Sequence, residues 1–430
     1  MMFWFGVLIF AVGILVSVCL HEAGHLVTAK TFGMKATQYF AGFGPTLWSF
    51  RRGETEYGIK AIPAGGFVKI LGMTPLEDKL APEDEHRAFW RQPVWKRTIV
   101  LVAGSATHFV LAALIFFGMA FTTGLPNPAA LTFEAFDAPP VVGVVSECVV
   151  PGYDLTPDGR DLRACAAGDP VGPAKAAGLR PGDRLISVGG TPIETYGDVV
   201  ETVRASPAGP TEVVFERDGQ RRTVTADLVA TQRPPAGEST GDLENVSAIG
   251  VSVATPSPTL HYSPLAAIPA SVWYVGKTVD QTFDAIARFP SKVPKLLDAI
   301  GGQERDPETP ISVVGASRIG GEAAELRLPI IFLALLGGLN VFIGVFNLFP
   351  LLPLDGGHVA IIWFEKVRSW WAARRGQPDP GRVDYNKLLP VTYVVLLLFG
   401  GLTLLTLTAD IVNPIRLGWR ELLAGGYWKA

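Results

Sequence analysis

Four long apolar runs, at about 3–29, 98–122, 328–352 and 388–411, alternate with polar stretches and set the frame of the chain. Crossing a bilayer core takes roughly 20 apolar residues in a helix, so each run predicts a transmembrane helix. Between the first two runs lie Arg51, Arg52, Lys60, Lys69, Lys96 and Arg97, and between the last two lie Lys366, Arg368, Arg374, Arg375, Arg382 and Lys387. Lysine and arginine concentrate in cytoplasmic loops, so both loops belong inside and the long middle stretch, with both termini, outside. The run that opens the chain has no basic residue before it, unlike a secretory signal peptide.

Within the first loop, "ETEYGIKAIPAGGFVKILG" alternates polar and apolar positions around two glycines. It predicts a membrane-associated β-hairpin at about 54–72, with Gly65 and Gly66 at a turn or bulge. The polar stretch Leu76 to Arg97, with Trp90 and Trp95, predicts an amphipathic interfacial helix. Outside, 124–140 is a Pro-rich linker, 141–230 alternates short strands and helices, and 231–327 begins as a linker and turns amphipathic from Leu265 to Ile300. Residues 412–430 form a tail, leaving 1–123 and 328–411 as the two parts of a membrane core.

Composition agrees with this reading: 48% of the 430 residues are hydrophobic and 18% charged. The net charge of −3 lacks the basic footprint of a nucleic-acid binder. Of three cysteines, Cys19 lies in the first run, while Cys148 and Cys165 flank an insertion on the outer side, where an oxidising compartment favours a disulfide.

Chemistry enters at "HEAGH". His21 and His25 are four residues apart, hence on one helix face, and Glu22 lies one step round it. One zinc ion can take both imidazoles while the glutamate serves as general base. Ionisable groups at membrane depth are costly and mark function. A catalytic zinc wants a third protein ligand, and the candidate is Asp355 in "NLFPLLPLDGGH", where two prolines end the third apolar run.

"AGLRPGDRLISVGG" resembles a bacterial PDZ domain of the type found in membrane-associated proteases. Together with "HEAGH", "PAGGFVKILG" and "NLFPLLPLDGGH", it makes the chain resemble the site-2 protease family of intramembrane zinc metalloproteases, most of all the actinobacterial members with a single PDZ domain. The resemblance implies one Zn2+ per chain on His21, His25 and Asp355, Glu22 as the catalytic base, and Asn347 as a substrate or oxyanion contact. It implies a polytopic α-helical protein of the bacterial plasma membrane with an extracytoplasmic PDZ domain. The substrates would be single-pass membrane proteins such as anti-sigma factors, first cut by an upstream site-1 protease. One departure stands out: where the family commonly has "AGPxxNF", this chain has "AGSATHF", with Ser105 for the proline and His108 for the asparagine. His108 is then a candidate hydrogen-bond donor to the reacting carbonyl or a packing residue. A PDZ-bearing membrane scaffold with a vestigial metal site is the alternative; keeping all four chemical groups disfavours it.

Overall fold

A computed structural model of the chain describes residues 1–73, 81–131, 133–154, 162–236, 242–303, 305–306 and 308–416. Two compact units emerge: Met1–Leu125 with His261–Arg416, and Pro126–Leu260.

Among the described residues the first unit holds four helices long and apolar enough to span a membrane: Met2–Thr31, Val94–Phe121, Pro329–Asn347 and Tyr385–Val412. The protein is a polytopic membrane protein of the plasma membrane. In the first span, Thr28 and Thr31 return their hydroxyls to the carbonyls of Gly24 and Val27, so these two hydroxyls are bonded within the helix. The third span stops at Asn347 rather than near 352, because Pro350 and Pro353 cannot continue it. At the far end of the fourth span, Asp410 accepts from Arg305 at 2.7 Å and from the Ser312 N–H at 2.6 Å, and both members of the ion pair are buried. A buried pair with further hydrogen bonds holds its partners in one geometry, so this end of the helix is fastened.

Between the first two spans lies the expected hairpin, longer than its sequence pattern shows. Its strands are Ala36–Arg52 and Thr55–Ile70, and the turn falls at Gly53, whose φ of +63° needs glycine. Gly65 and Gly66 sit inside the second strand, beside a break in register. Gln38 to Ala41 each have two partners, one among residues 66–69 and one among 56–59, so the ribbon curls over itself. Tyr39 donates to the Cys19 carbonyl at 2.7 Å and Lys30 to the Tyr57 hydroxyl at 3.0 Å, pinning the curl to the first span.

The expected interfacial helix at Leu76–Arg97 is not found. Residues 74–80 lie outside the described set. Residues 81–93 make only the short 3-10 turns Glu85–Arg87 and Phe89–Arg91, and the helix begins at Val94. Proline brackets the segment at 82 and 93, and tertiary contacts outweigh helical propensity: Phe89 is buried with Leu26 and Ile70, and Arg87 forks onto Glu54 at 2.6 and 2.7 Å.

The amphipathic stretch is the helix Pro264–Ile300, whose Ala267, Tyr274 and Val279 pack with Phe116 and Val341 of the second and third spans.

The second unit is a β-rich domain that includes the stretch 141–230 expected to be a PDZ domain. Its five-stranded sheet runs Thr191–Pro192, Arg184–Val188, Gly209–Arg217, Gln220–Arg233, Glu244–Ala248 in spatial order. The stretch beginning at 231, which read as a linker, therefore carries strand residues and then a further strand at Val251–Val253. Helix Tyr196–Ala205 starts with a capping box in which Thr195 and Asp198 exchange hydrogen bonds. Val199, Val203, Leu185, Val213 and Phe215 form the core. Cys148 and Cys165 form a disulfide. Asp183, 1% exposed, is held by the Arg217 fork at 2.7 and 2.7 Å and by the Arg180 N–H at 2.7 Å.

Candidate metal centre

His21 and His25 point from the first span into the protein, 6% and 4% exposed. Asp355, the first residue of helix Asp355–Arg374, reaches them from the far end of the sequence. What brings it there is a tight return of the chain after the third span. A Cβ on Gly356 would lie 2.2 Å from the Leu348 carbonyl oxygen and one on Gly357 2.6 Å from Leu351, so only glycine admits the fold-back.

The three donor atoms form a near-equilateral triangle. His21 Nε2 and His25 Nε2 are 3.1 Å apart, and Asp355 Oδ2 is 3.3 Å from each. Donors about 2.0–2.1 Å from a tetrahedral zinc ion stand roughly 3.3 Å from one another, so the triangle has the size of one face of such a site. The proton placement fits as well. His25 Nδ1 lies 2.7 Å from the Val100 carbonyl, which can only accept, so Nδ1 carries the proton and Nε2 offers its lone pair. Asp355 Oδ2 is buried without a hydrogen-bond partner among the described residues. Two imidazole nitrogens and a carboxylate oxygen converging in a buried pocket call for a cation.

Gly104 of the second span closes the pocket. A Cβ there would stand 2.4 Å from His25 Nε2 and 2.7 Å from His21 Nε2, against both imidazole donors.

Glu22 lies beside the triangle, its Oε2 accepting the Val68 N–H of the curled sheet at 3.0 Å. Asn347 is the half-buried last residue of the third span.

His108 is fully buried, its ring centroid 5.1 Å from that of His21. Its Nδ1 meets Asn340 Oδ1 at 2.9 Å, and Asn340 donates its amide N–H to the Leu336 carbonyl, also at 2.9 Å. That second bond fixes which way the amide faces, so His108 Nδ1 must be the donor and, in the neutral ring, Nε2 carries a lone pair. The ring thus has no second proton to offer a carbonyl unless it is charged. Asn340 and Gly104 both escaped the sequence reading. An uncharged amide in an apolar run was a signal that could have been followed; a glycine in such a run gives none. His358 and Glu365 stay outside the cluster, His358 stacking on Tyr385 and Glu365 facing Arg97.

Comparison with known proteins agrees with this geometry. The model of peptidase family M50 matches residues 9–378. Zinc metalloprotease Rip1 of Mycolicibacterium smegmatis is 44% identical over 421 residues, covering 96% of this chain and 99% of that protein. The Rip1 zinc metalloproteases of Mycobacterium tuberculosis and Mycobacterium bovis are each 44% identical over 419 residues, covering 97% of this chain and all of theirs. With a His-His-Asp cluster that joins the first span to the start of helix Asp355–Arg374, and a family match over most of its length, the chain belongs to peptidase family M50, the zinc metalloproteases.

Proposed function

We propose that the protein is an intramembrane endopeptidase that cuts the transmembrane segments of single-pass membrane proteins, of the anti-sigma-factor type, after a site-1 protease has made a first cut outside. The observation that carries this reading is the donor triangle of His21, His25 and Asp355, buried between membrane spans with Glu22 beside it. In this reading the three residues hold one Zn2+. Bound zinc supplies a Lewis acid for the scissile carbonyl and lowers the pKa of water towards neutrality.

The chain's own residues do the rest. Glu22 takes the proton of the attacking water and passes it to the leaving amine; the Val68 N–H holds its carboxylate in place. His25, fixed by the Val100 carbonyl, keeps its lone pair inward. Asn347, at the end of the third span, contacts the substrate backbone in this reading. A helical substrate hides its carbonyls in its own hydrogen bonds and must be drawn out. The strand that carries Val68 has one edge paired to residues 36–41, and a substrate strand added along its other edge would run past Glu22. The PDZ domain restrains access by proteins that still carry bulky outer domains.

The test pairs two variants of the full-length protein in liposomes with a single-span substrate. Glu22→Gln should keep zinc and lose cleavage; Asp355→Ala should lose both. An Asp355→Ala protein with stoichiometric zinc and full activity would falsify the ligand assignment.

A further inference from the structure

At the cytoplasmic end of the membrane unit a groove of about 510 Å³ opens between the start of the second span and helix Asp355–Arg374. We propose that it binds the head group of an anionic phospholipid, a ligand separate from the protein substrate. Three cations line it: Arg91, Arg97 and Lys366. Arg97 is the telling one. Its side chain is only 12% exposed, its nearest carboxylate, Glu365, is 3.7 Å away, too far for a hydrogen bond, and its Nε has no partner among the described residues. A buried guanidinium so poorly matched wants an anion. The second span adds to the field. It begins at Val94 after Pro93 with no side-chain cap, so its first N–H groups face the same end. Against this stand Glu365 and the exposed Glu85, which pairs with Arg91.

The surroundings choose a lipid over a soluble anion. Trp95 and Trp363 line the groove and are about half exposed, as indoles are at a membrane interface. Beyond them Ile99, Phe364 and Val367 lie open on the same two helices, a path for acyl chains. Basic pockets between helices on the cytoplasmic side are the recurrent form of such sites. The bound lipid would tie the helix bearing Gly104 to the helix that opens with Asp355.

Full-length protein in neutral detergent is titrated with phosphatidylglycerol or phosphatidylcholine, and retained lipid is counted by native mass spectrometry. Phosphatidylglycerol should be retained preferentially. Each basic side chain near an anionic surface contributes about 1 kcal/mol, so Arg91→Gln with Lys366→Gln should weaken retention roughly 30-fold, and each single change about 5-fold. Both residues are exposed, so the fold should survive, and Arg374→Gln with Arg375→Gln, an equal loss of charge further along the helix, should change little. Equal retention of the two lipids, or equal losses in the two double variants, would overturn the site. Competition by inorganic phosphate as strong as that by the lipid would overturn the lipid assignment.

Discussion

Replacing Gly104 by alanine adds one methyl group, yet the structure gives it nowhere to go. The new carbon would stand 2.4 Å from His25 Nε2, 2.6 Å from His21 Cε1 and 2.7 Å from His21 Nε2, where ordinary contact begins at 3.4 Å. Either the second span or both rings must move by about 1 Å. Retreat of the His25 ring is blocked because its other nitrogen is bonded to the Val100 carbonyl, on the same helix and one turn before Gly104. A displacement of about 1 Å in a catalytic group costs on the order of 100-fold in rate, or about 2.7 kcal/mol. The assay is zinc content after dialysis against a graded chelator, beside cleavage of a single-span substrate in liposomes. Gly118→Ala is the matched control, since a Cβ there meets nothing within 4 Å. Gly104→Ala should lose zinc at lower chelator strength and cleave at least 100-fold more slowly, while Gly118→Ala behaves as wild type. If the two variants cannot be told apart, the glycine does not define the pocket.

Two further substitutions probe buried polar pairs. His108→Ala leaves Asn340 Oδ1 buried without its donor, a loss of about 1–3 kcal/mol in stability, whereas His108→Asn can restore a donor and should keep most cleavage; an alanine variant that unfolds in detergent exactly where wild type does, yet cannot cleave, would show a chemical rather than a packing role. In the outer β-rich domain, burial alone would raise the Asp183 pKa, but the Arg217 fork and the Arg180 N–H outweigh it and hold the carboxyl below its usual range. Its stabilisation is therefore complete above the unfolded value near pH 4 and fades as pH falls through the lower folded value. Asp183→Asn should cost about 3 kcal/mol at neutral pH and remove this part of the acid sensitivity, read as hydrogen exchange across residues 184–217; an unchanged slope with pH would refute the pairing.

The spans were legible because lipid demands unbroken apolar runs, and His21, Glu22 and His25 stood out against one. Asp355 was legible only in combination with them, since a carboxylate after a proline-broken run has no meaning until a metal needs a ligand. Less was visible where tertiary contact decides. The strand Ala36–Arg52 mixes aromatic, glycine and charged positions without clean alternation, because a curled ribbon has no single buried face. The segment before Val94 has the composition of an interfacial helix and is instead set by Phe89 and Arg87 reaching other elements. Gly104 matters through what it lacks.

The donor triangle draws two residues from the first span and the third from beyond the outer β-rich domain. A ribosome therefore delivers half of the site early and must build the whole outer domain and the third span before the other half exists. A chain still in synthesis, or one broken off before Asp355, holds two histidines and a glutamate but no closed set of ligands. The ligand set is in this way withheld from every product that stops short of Asp355, which includes any that lacks the outer domain or the third span.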